Sequence, residues 1–261
     1  MNFFAKIKNL KYFELIYLFR NKGIIINKYG NKLSIHKKAS LKYSIIKIGA
    51  NCLLNIDENV RIISSKIIIK DNSSLEVGKN SFLNEMNINI LGSVSIGSNN
   101  YIGHKNAIWI IQNGVLNIGN NNRLKNTIWI RFGGKMTIGQ YNAINENTEI
   151  RCDENVEIGN YNEISMNVRV WDTNTHRILC SSTEFMDYRI NHFPFFNEET
   201  KPLTTPVFIG NCNWLGEFCA ILKGCRIQNH CILGFHTILC NRNINDNNIV
   251  VTDLSYKIKT Y

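Results

Sequence analysis

The histidine in WDTNTHRI, residues 171–178, is the side chain of this sequence best suited to acid–base chemistry. Imidazole has an ordinary pKa of about 6.5, so it can accept a proton near neutral pH. His176 therefore fits a general base, and a histidine that only hydrogen-bonds a carbonyl group is the structural alternative. Asp172 stands four residues earlier, where it could orient the imidazole or cap a turn through its own carboxylate.

A short repeat surrounds this segment on both sides. The pattern aliphatic–Gly–x–x–small–x–apolar begins at seven positions, which are Ile48, Val77, Ile96, Ile118, Ile138, Ile158 and Ile209. The apolar positions follow one another after six, six and eight residues, about 20 in all. This spacing fits neither the helical period of 3.6 nor the strand period of 2. It predicts a triangular solenoid with inward aliphatic residues and with glycine easing each bend.

The fifth position of each repeat should lie near an inner corner and hold a small residue. Cys219, Cys225 and Cys231 occupy it in successive repeats, so we predict small buried hydrophobic side chains rather than metal ligands or disulfides. Asparagine occupies the same position in other repeats, at Asn100, Asn122, Asn142, Asn162 and Asn213. Stacked amides of this kind predict a hydrogen-bonded ladder along the solenoid axis.

The repeat is lost between Val170 and Ile209, which predicts that residues 171–206 leave the solenoid as one long loop excursion. This excursion holds all three prolines and many aromatic residues. Residues 1–22 contain no glycine, and the spacing of their apolar residues predicts an amphipathic helix. Such a helix either caps the open end of the solenoid or lies on an anionic membrane. Residues 23–261 are predicted to form one domain.

The composition limits the classes of partner and compartment. The formal net charge of +10 suits ligands that carry negative charge, although compositional drift toward lysine is the alternative. The sequence contains no dense arginine cluster of the kind that would indicate nucleic-acid binding. Eight cysteines without a CxxC pair predict reduced thiols and no metal site. No apolar run is long enough to span a membrane, and no signal peptide is recognisable, so we expect a cytoplasmic protein.

The repeat and its last copies resemble the hexapeptide-repeat acyltransferases. The stretch VFIGNCNWLGEFCAILKGCRIQNHCILGFHTIL, residues 207–239, is similar to the final coils of that family, and WDTNTHRI looks like the loop of its polysaccharide O-acetyltransferases. The resemblance implies an all-β, left-handed parallel β-helix, acetyl-CoA as co-substrate and a homotrimer with donor sites between neighbours. It implies a bacterial cytoplasmic enzyme, which the N-terminal segment could bring to the inner face of the membrane.

The resemblance also implies roles for individual residues. His176 would be the base, with Asp172, Trp214 and Asn145 beside it. Acetyl-CoA would contact Trp214, Gly216, Glu217, Lys223 and Arg242, and a backbone N–H of Gly216 or Glu217 would stabilise the oxyanion. The structural alternatives are a corner tryptophan that buries a neighbouring face and, for Lys223 and Arg242, solvated surface charges. Independently of the resemblance, the aromatic character of the excursion makes Trp171, Tyr188 and His192 candidates for contact with the saccharide, and His192 is the second candidate base. The usual C-terminal signature that helps bind the CoA nucleotide is absent, so adenine-binding residues are not predicted.

Three functions follow from these expectations. The first is acetyl transfer from acetyl-CoA to a hydroxyl of a surface polysaccharide, such as capsule, lipopolysaccharide or a sialic acid-containing glycan. The second is N-acetyl transfer to an amino-sugar nucleotide, which would need the same base and donor site. The third is a non-catalytic carbohydrate-binding scaffold. The intact loop histidine favours the first two.

Overall fold

The fold is a parallel β-solenoid, seen here in a computed structural model. The structure describes residues 15–19, 22–28, 30–103, 108–179, 181–192 and 200–253. Ten coils stack along one axis, and each coil crosses three faces. The predicted parallel β-helix is confirmed.

Face 1 contains β2 (Gly23–Asn27), β5 (Ile45–Ile48), β8 (Lys66–Ile69), the first part of β11 (Asn87–Ile96), the first part of β13 (Ile108–Ile118), β15 (Thr127–Ile130), β18 (Glu149–Cys152), β21 (Arg169–Trp171), β24 (Ala220–Leu222) and β27 (Ile238–Leu239). Face 2 contains β3 (Lys32–Ile35), β6 (Leu53–Ile56), β9 (Ser74–Val77), the second parts of β11 and β13, β16 (Lys135–Ile138), β19 (Asn155–Ile158), β22 (Val207–Ile209), β25 (Arg226–Ile227) and β28 (Asn243–Ile244).

Face 3 contains the shorter strands β4 (Ser40–Lys42), β7 (Arg61–Ile63), β10 (Phe82–Asn84), β12 (Tyr101–Ile102), β14 (Arg123–Leu124), β17 (Ala143–Ile144), β20 (Glu163–Ile164), β23 (Trp214–Leu215), β26 (Ile232–Leu233) and β29 (Ile249–Val250). We call the edge where face 1 turns into face 2 the 1–2 corner, and we name the 2–3 and 3–1 corners in the same way.

The core is a stack of inward aliphatic side chains, as the repeat predicts. Equivalent residues pair between coils: Ile46 with Ile67, Ile138 with Ile158, and Ile221 with Leu239. These pairs are 21, 20 and 18 positions apart, so the coils shorten toward the C-terminus. Inward residues are almost fully buried except in the first and last coils, where Leu33, Ile35, Ile244 and Val250 are partly buried. This burial is the main source of stability in a solenoid.

The glycine of the repeat has a different role from the expected one. Gly119 does not adopt a positive φ, whereas Asn121 at the corner does, with φ of 59°. A Cβ atom on Gly119 would lie 2.6 Å from the carbonyl oxygen of Gly139 in the next coil. Glycine is therefore required because consecutive coils approach closely, and asparagine, which tolerates the left-handed region, makes the bend.

Both predictions for the fifth position are confirmed. The Asn142 Nδ2 donates to the Oδ1 of Asn122 at 3.1 Å, and the Asn162 Nδ2 donates to the Oδ1 of Asn142 at 3.0 Å. Cys219, Cys225 and Cys231 are fully buried. Burial raises the pKa of the Cys219 and Cys225 thiols, which keeps them protonated and unreactive.

The predicted N-terminal helix is wrong where it can be checked. Residues Leu15–Phe19 form a strand, β1, which pairs antiparallel with β2 on the edge that β5 leaves open. An open strand edge presents unpaired N–H and C=O groups, and a strand satisfies them directly whereas a helix does not. The segment therefore caps face 1 as a strand. The remainder of the expected helix, residues 1–14, lies outside the described residues.

The chain leaves the solenoid after Trp171 and returns at Val207. The sequence predicted that the whole excursion is a loop. Instead, Ser182–His192 form a helix, α1, with no buried residue. Within the part of the chain that the structure describes, no helix is long and apolar enough to cross a bilayer.

Candidate functional site

The two ends of the excursion are held together where they leave the 1–2 corner. Thr173 and Thr204 form an antiparallel bridge. The Asn174 N–H donates to the Leu203 carbonyl at 3.0 Å, and the Thr205 N–H donates to the Asp172 carbonyl at 2.9 Å. We call residues 172–175 and 203–205 the excursion clasp. The clasp fixes the backbone immediately before His176.

A buried ion pair anchors the clasp to earlier coils. Asp153, fully buried at the 1–2 corner, accepts two hydrogen bonds from Arg131, at 2.9 Å from Nε and 2.7 Å from Nη2. The Thr173 hydroxyl donates to the same carboxylate at 2.7 Å. Arg131 also donates to the carbonyl of Thr175 at 3.2 Å. One bidentate pair thus joins three successive coils at the base of the excursion.

Asp172 binds the backbone of the neighbouring coil. Its carboxylate is fully buried and accepts hydrogen bonds from the N–H groups of residues 153, 154 and 155, at 2.8, 2.7 and 2.8 Å. Burial raises the pKa of Asp172 to about 6, and these N–H groups oppose that shift. The carboxylate caps a turn, the second of the two roles that the sequence left open.

His176 is exposed at the outer end of the clasp. The preceding Thr175 has a φ of 66°, and its N–H donates to the Thr173 hydroxyl at 3.0 Å. A threonine in the left-handed region is unusual and persists only when neighbours determine it. Residue 176 follows this turn and is exposed, so part of its side chain is accessible to solvent.

The helix of the excursion lies against the same loop. The guanidinium of Arg177 is 5.7 Å from the centre of the Tyr188 ring. That ring stacks on His192 at 4.3 Å, and the Nδ1 of His192 is 2.8 Å from the Tyr188 carbonyl oxygen. The Tyr188 hydroxyl is buried and has no hydrogen-bond partner among the described residues. Two residues predicted to contact a saccharide therefore sit next to the residue that follows His176.

Trp171 belongs to a stack on the outside of face 1. The guanidinium of Arg151 lies 4.8 Å from the Trp129 ring centre and 4.7 Å from that of Trp171. Arg151 is also paired with Glu149. One face of the Trp171 indole is therefore covered by a cation, and its Nε1 is buried without a hydrogen-bond partner among the described residues.

Two residues predicted to hold acetyl-CoA continue the same corner. Lys223 and Arg242 follow β24 and β27, so they occupy the 1–2 corner in the two coils after the excursion. The Gly224 N–H donates to the Thr205 carbonyl at 3.1 Å, which joins the first of these coils to the clasp. Two cationic residues therefore follow the excursion on the same corner.

The other predicted residues lie on a different edge. Asn145, Gly216 and Glu217 are at the 3–1 corner, and Trp214 is on face 3, where it is 54% exposed. Asn145 bonds to Ile164 and Arg123, and Glu217 accepts from Asn167 at 2.9 Å. Within one chain, face 1 separates these residues from His176.

One expected oxyanion donor must be corrected. The Gly216 N–H donates to the Leu233 carbonyl at 2.7 Å, as part of the stacking between coils. It is therefore not available to an oxyanion. The N–H of Glu217 stays a prediction.

The 3–1 corner also carries an exposed aromatic group that the sequence did not indicate. Phe218 and Phe235 pack edge to face with ring centres 5.5 Å apart, and both contact His236. Phe235 is 60% exposed. Exposed apolar clusters of this kind commonly mark contact surfaces.

Sequence reasoning missed Arg131 and Asp153, which bond to the clasp. Each alone is an ordinary surface-type residue. Their positions, 131 and 153, differ by about one coil, and each follows a strand of face 1. This spacing of about one coil was the sequence feature that could have predicted their contact.

The described residues contain no group of three or more potential metal ligands. Two described grooves lie on the N-terminal coils rather than beside His176. One, of about 800 Å³, is lined by Asn51, Asn72, Ser93 and their neighbours; the other, of about 590 Å³, is lined by Lys28, Lys47 and Lys70 among others. Because the chemistry-bearing residues lie on the excursion, neither groove is the candidate active site.

Comparisons with known proteins give similarity only at the level of solved structures. No family model and no curated protein matches the chain. It is similar to the polySia-specific acetyltransferase NeuO, with 16% identity, a TM-score of 0.43 and coverage of 86% of this chain and 87% of that one. It is similar to the polysialic acid O-acetyltransferase OatWY, with 20% identity, a TM-score of 0.44 and coverage of 85% and 92%.

A third solved structure is a mutant of AntD, an N-acyltransferase from Bacillus cereus in complex with dTDP and coenzyme A. It shares 21% identity at a TM-score of 0.41, covering 72% of this chain and 82% of that one. At such low identities and TM-scores, a reaction can be inferred only from the residues of the candidate site itself.

Proposed function

We propose that this protein is an acetyl-CoA-dependent O-acetyltransferase that modifies a hydroxyl of a surface polysaccharide. The observation that carries the proposal is the excursion clasp: an exposed histidine directly follows it and the unusual φ of Thr175, and Lys223 and Arg242 lie on the same corner in the two later coils. Precise placement of a base on a rigid scaffold is what acyl transfer between two bound substrates requires.

In the proposed reaction, the acceptor hydroxyl attacks the thioester carbonyl of acetyl-CoA. A carbon–oxygen bond forms, His176 takes the hydroxyl proton, and the carbon–sulfur bond breaks as the proton passes to the departing thiolate. Lys223 and Arg242 would pair with phosphate groups of CoA. Tyr188 and His192 would contact the saccharide. A positioned base contributes about 10²–10⁴ in rate.

A second chain would complete the site. Trp214, Glu217 and the Phe218–Phe235 cluster lie across face 1 from His176, so the proposed homotrimer would bring the 3–1 corner of one chain to the 1–2 corner of its neighbour. The exposed aromatic group supports such a contact. Sedimentation equilibrium tests it: a monomeric mass at working concentrations would remove the shared site.

Thiol release from acetyl-CoA, measured with a panel of polysaccharides and amino-sugar nucleotides, tests the function. We expect release with polysaccharide, a fall of about 10²–10⁴ in His176→Ala, and no change in His36→Ala, a control at the far end of the solenoid. Full turnover in His176→Ala would exclude this base, and His192→Ala then tests the second candidate. Release only with amino-sugar nucleotides supports N-acetyl transfer, and absence of CoA binding supports a carbohydrate-binding scaffold.

A further inference from the structure

The positive charge of this protein is concentrated at one end of the chain. Residues 1–44 contain ten Lys and Arg and one Glu, a net charge of +9, while residues 45–261 contain 20 Lys and Arg and 19 Asp and Glu, a net charge of +1. Together these give the total of +10. Compositional drift toward lysine would spread the excess along the chain, so drift does not explain this distribution.

The structure arranges these cations as a ring around the first coil. The coil from Lys22 to Ser44 holds six lysines, all exposed, and no acidic residue. They occupy every side: Lys22 at the 3–1 corner, Lys28 at the 1–2 corner, Lys32 on face 2, Lys37 and Lys38 at the 2–3 corner, and Lys42 on face 3. We call these six residues the lysine ring. In the second coil, the charges of Lys47, Arg61, Asp57 and Glu58 sum to zero, and Glu58 pairs with Lys38 of the ring at 2.6 Å.

We propose that the lysine ring docks the solenoid end-on to an anionic lipid surface. A ring lies in one plane perpendicular to the axis, so all its members approach a flat surface together. A linear acidic polymer would instead need cations along one corner through several coils, and the net charge of the later coils is nearly zero. Lysine, a mobile point charge, suits diffuse attraction to lipid headgroups better than bidentate recognition.

The spacing of the coils gives the proposal its geometry. Adjacent strands lie about 4.8 Å apart, so the ring and the strand β1 beneath it fall within a Debye length of about 8–10 Å of a docked surface. His176 is in the eighth coil, seven spacings away, or about 34 Å from the ring. The candidate active site would therefore stand clear of the bilayer and remain open to a large acceptor.

The sequence that precedes the first coil is also basic. Residues 1–21 contribute four of the basic residues, together with several aromatic and aliphatic ones. Aromatic side chains next to lysine and arginine are typical of segments at membrane interfaces. The chain then enters the first coil through β1, which pairs with β2 at the base of the solenoid.

Vesicle sedimentation with the full chain tests the proposal without any acyl donor, so its result is independent of the proposed function. We compare phosphatidylcholine vesicles with and without phosphatidylglycerol, and expect binding only when the anionic lipid is present and at low salt. Each lysine near such a surface strengthens binding about fivefold. The triple variant Lys28→Gln, Lys32→Gln, Lys37→Gln should therefore bind roughly 100-fold more weakly.

The matched control removes three exposed cations from later coils: Lys79→Gln, Lys135→Gln and Arg226→Gln. We expect it to bind vesicles as well as the unmodified protein, and circular dichroism should show the same fold in both variants. Equal losses in the two triple variants would overturn the proposal. So would absence of vesicle binding together with ring-dependent binding of soluble polygalacturonate, which would assign the ring to an acidic polymer.

Discussion

The excursion clasp should depend on the charge of Asp153. In Asp153→Asn the side chain keeps its shape, but Arg131 loses an ionised partner, and the Arg131 side chain is only 12% exposed. Removing one member of a buried pair costs about 3–5 kcal/mol because the other charge stays buried without compensation. Since the amide oxygen can still accept one hydrogen bond, we expect about 3 kcal/mol, the lower end of that range.

A loss of about 3 kcal/mol corresponds to an opening equilibrium more than 100-fold larger. Hydrogen exchange of the amides of residues 172–175 measures this opening directly, and limited proteolysis within the excursion provides a second readout. Because Arg131 also bonds to the carbonyl beside His176, acetyl transfer should slow in the same variant while the KM for acetyl-CoA is retained.

The matched control is Glu58→Gln, which removes an acidic partner from an ion pair of similar length. Lys38 and Glu58 are 2.6 Å apart, but their side chains are 58% and 32% exposed, so water reaches both. Solvent-exposed pairs contribute little, so we expect almost no change in exchange or unfolding. If Asp153→Asn behaves like this control, the pair does not hold the excursion and the clasp must depend on its backbone bonds alone.

Two further predictions concern titration and thiol reactivity. The pKa of Asp172 is raised to about 6 from an ordinary value of 3.8, so the folded state binds the proton more tightly than the unfolded state does. The free energy of unfolding should therefore fall as the pH rises from about 4 to about 6. Urea unfolding should show a weaker dependence on pH in Asp172→Asn, and an unchanged dependence would contradict the assignment. Among the described cysteines, Cys212 and Cys240 are exposed and the other five are buried, so a thiol reagent should modify those two rapidly and the five only on unfolding, whereas rapid reaction of Cys219 or Cys225 would contradict their burial in the core.

The solenoid could be predicted because its physical cause is repeated in the sequence. Each inward aliphatic residue stacks on an equivalent in the next coil, so the same requirement recurs about every 20 positions and becomes visible as a period. The asparagine ladder was predictable for the same reason. By contrast, the strand Leu15–Phe19 has no repeat to identify it. Its conformation is determined by the open edge of β2, which the local sequence does not encode.

The candidate site was only partly predictable. His176 and Asp172 stand out because they interrupt the repeat, but the buried pair of Arg131 and Asp153 does not. Its two members are separated in the chain by 22 positions and meet only because one coil has nearly that length. Contacts between coils require the exact register, and the variable coil lengths conceal that register until the fold is known.

The position of the excursion explains how a solenoid can carry chemistry without losing its core. β21 pairs with β18 and β24, and β22 pairs with β19 and β25, so the ladders on both sides of the excursion are continuous. The entropy of closing a loop rises by only about 0.6 kcal/mol for each doubling of its length. The stability of the solenoid therefore depends more on the clasp at the base of the excursion than on the length of the excursion, because the clasp separates the variable segment from the stacked coils. On this reasoning, lengthening the excursion beyond α1 should leave the unfolding free energy of the solenoid nearly unchanged, while changes in the clasp should affect both stability and catalysis.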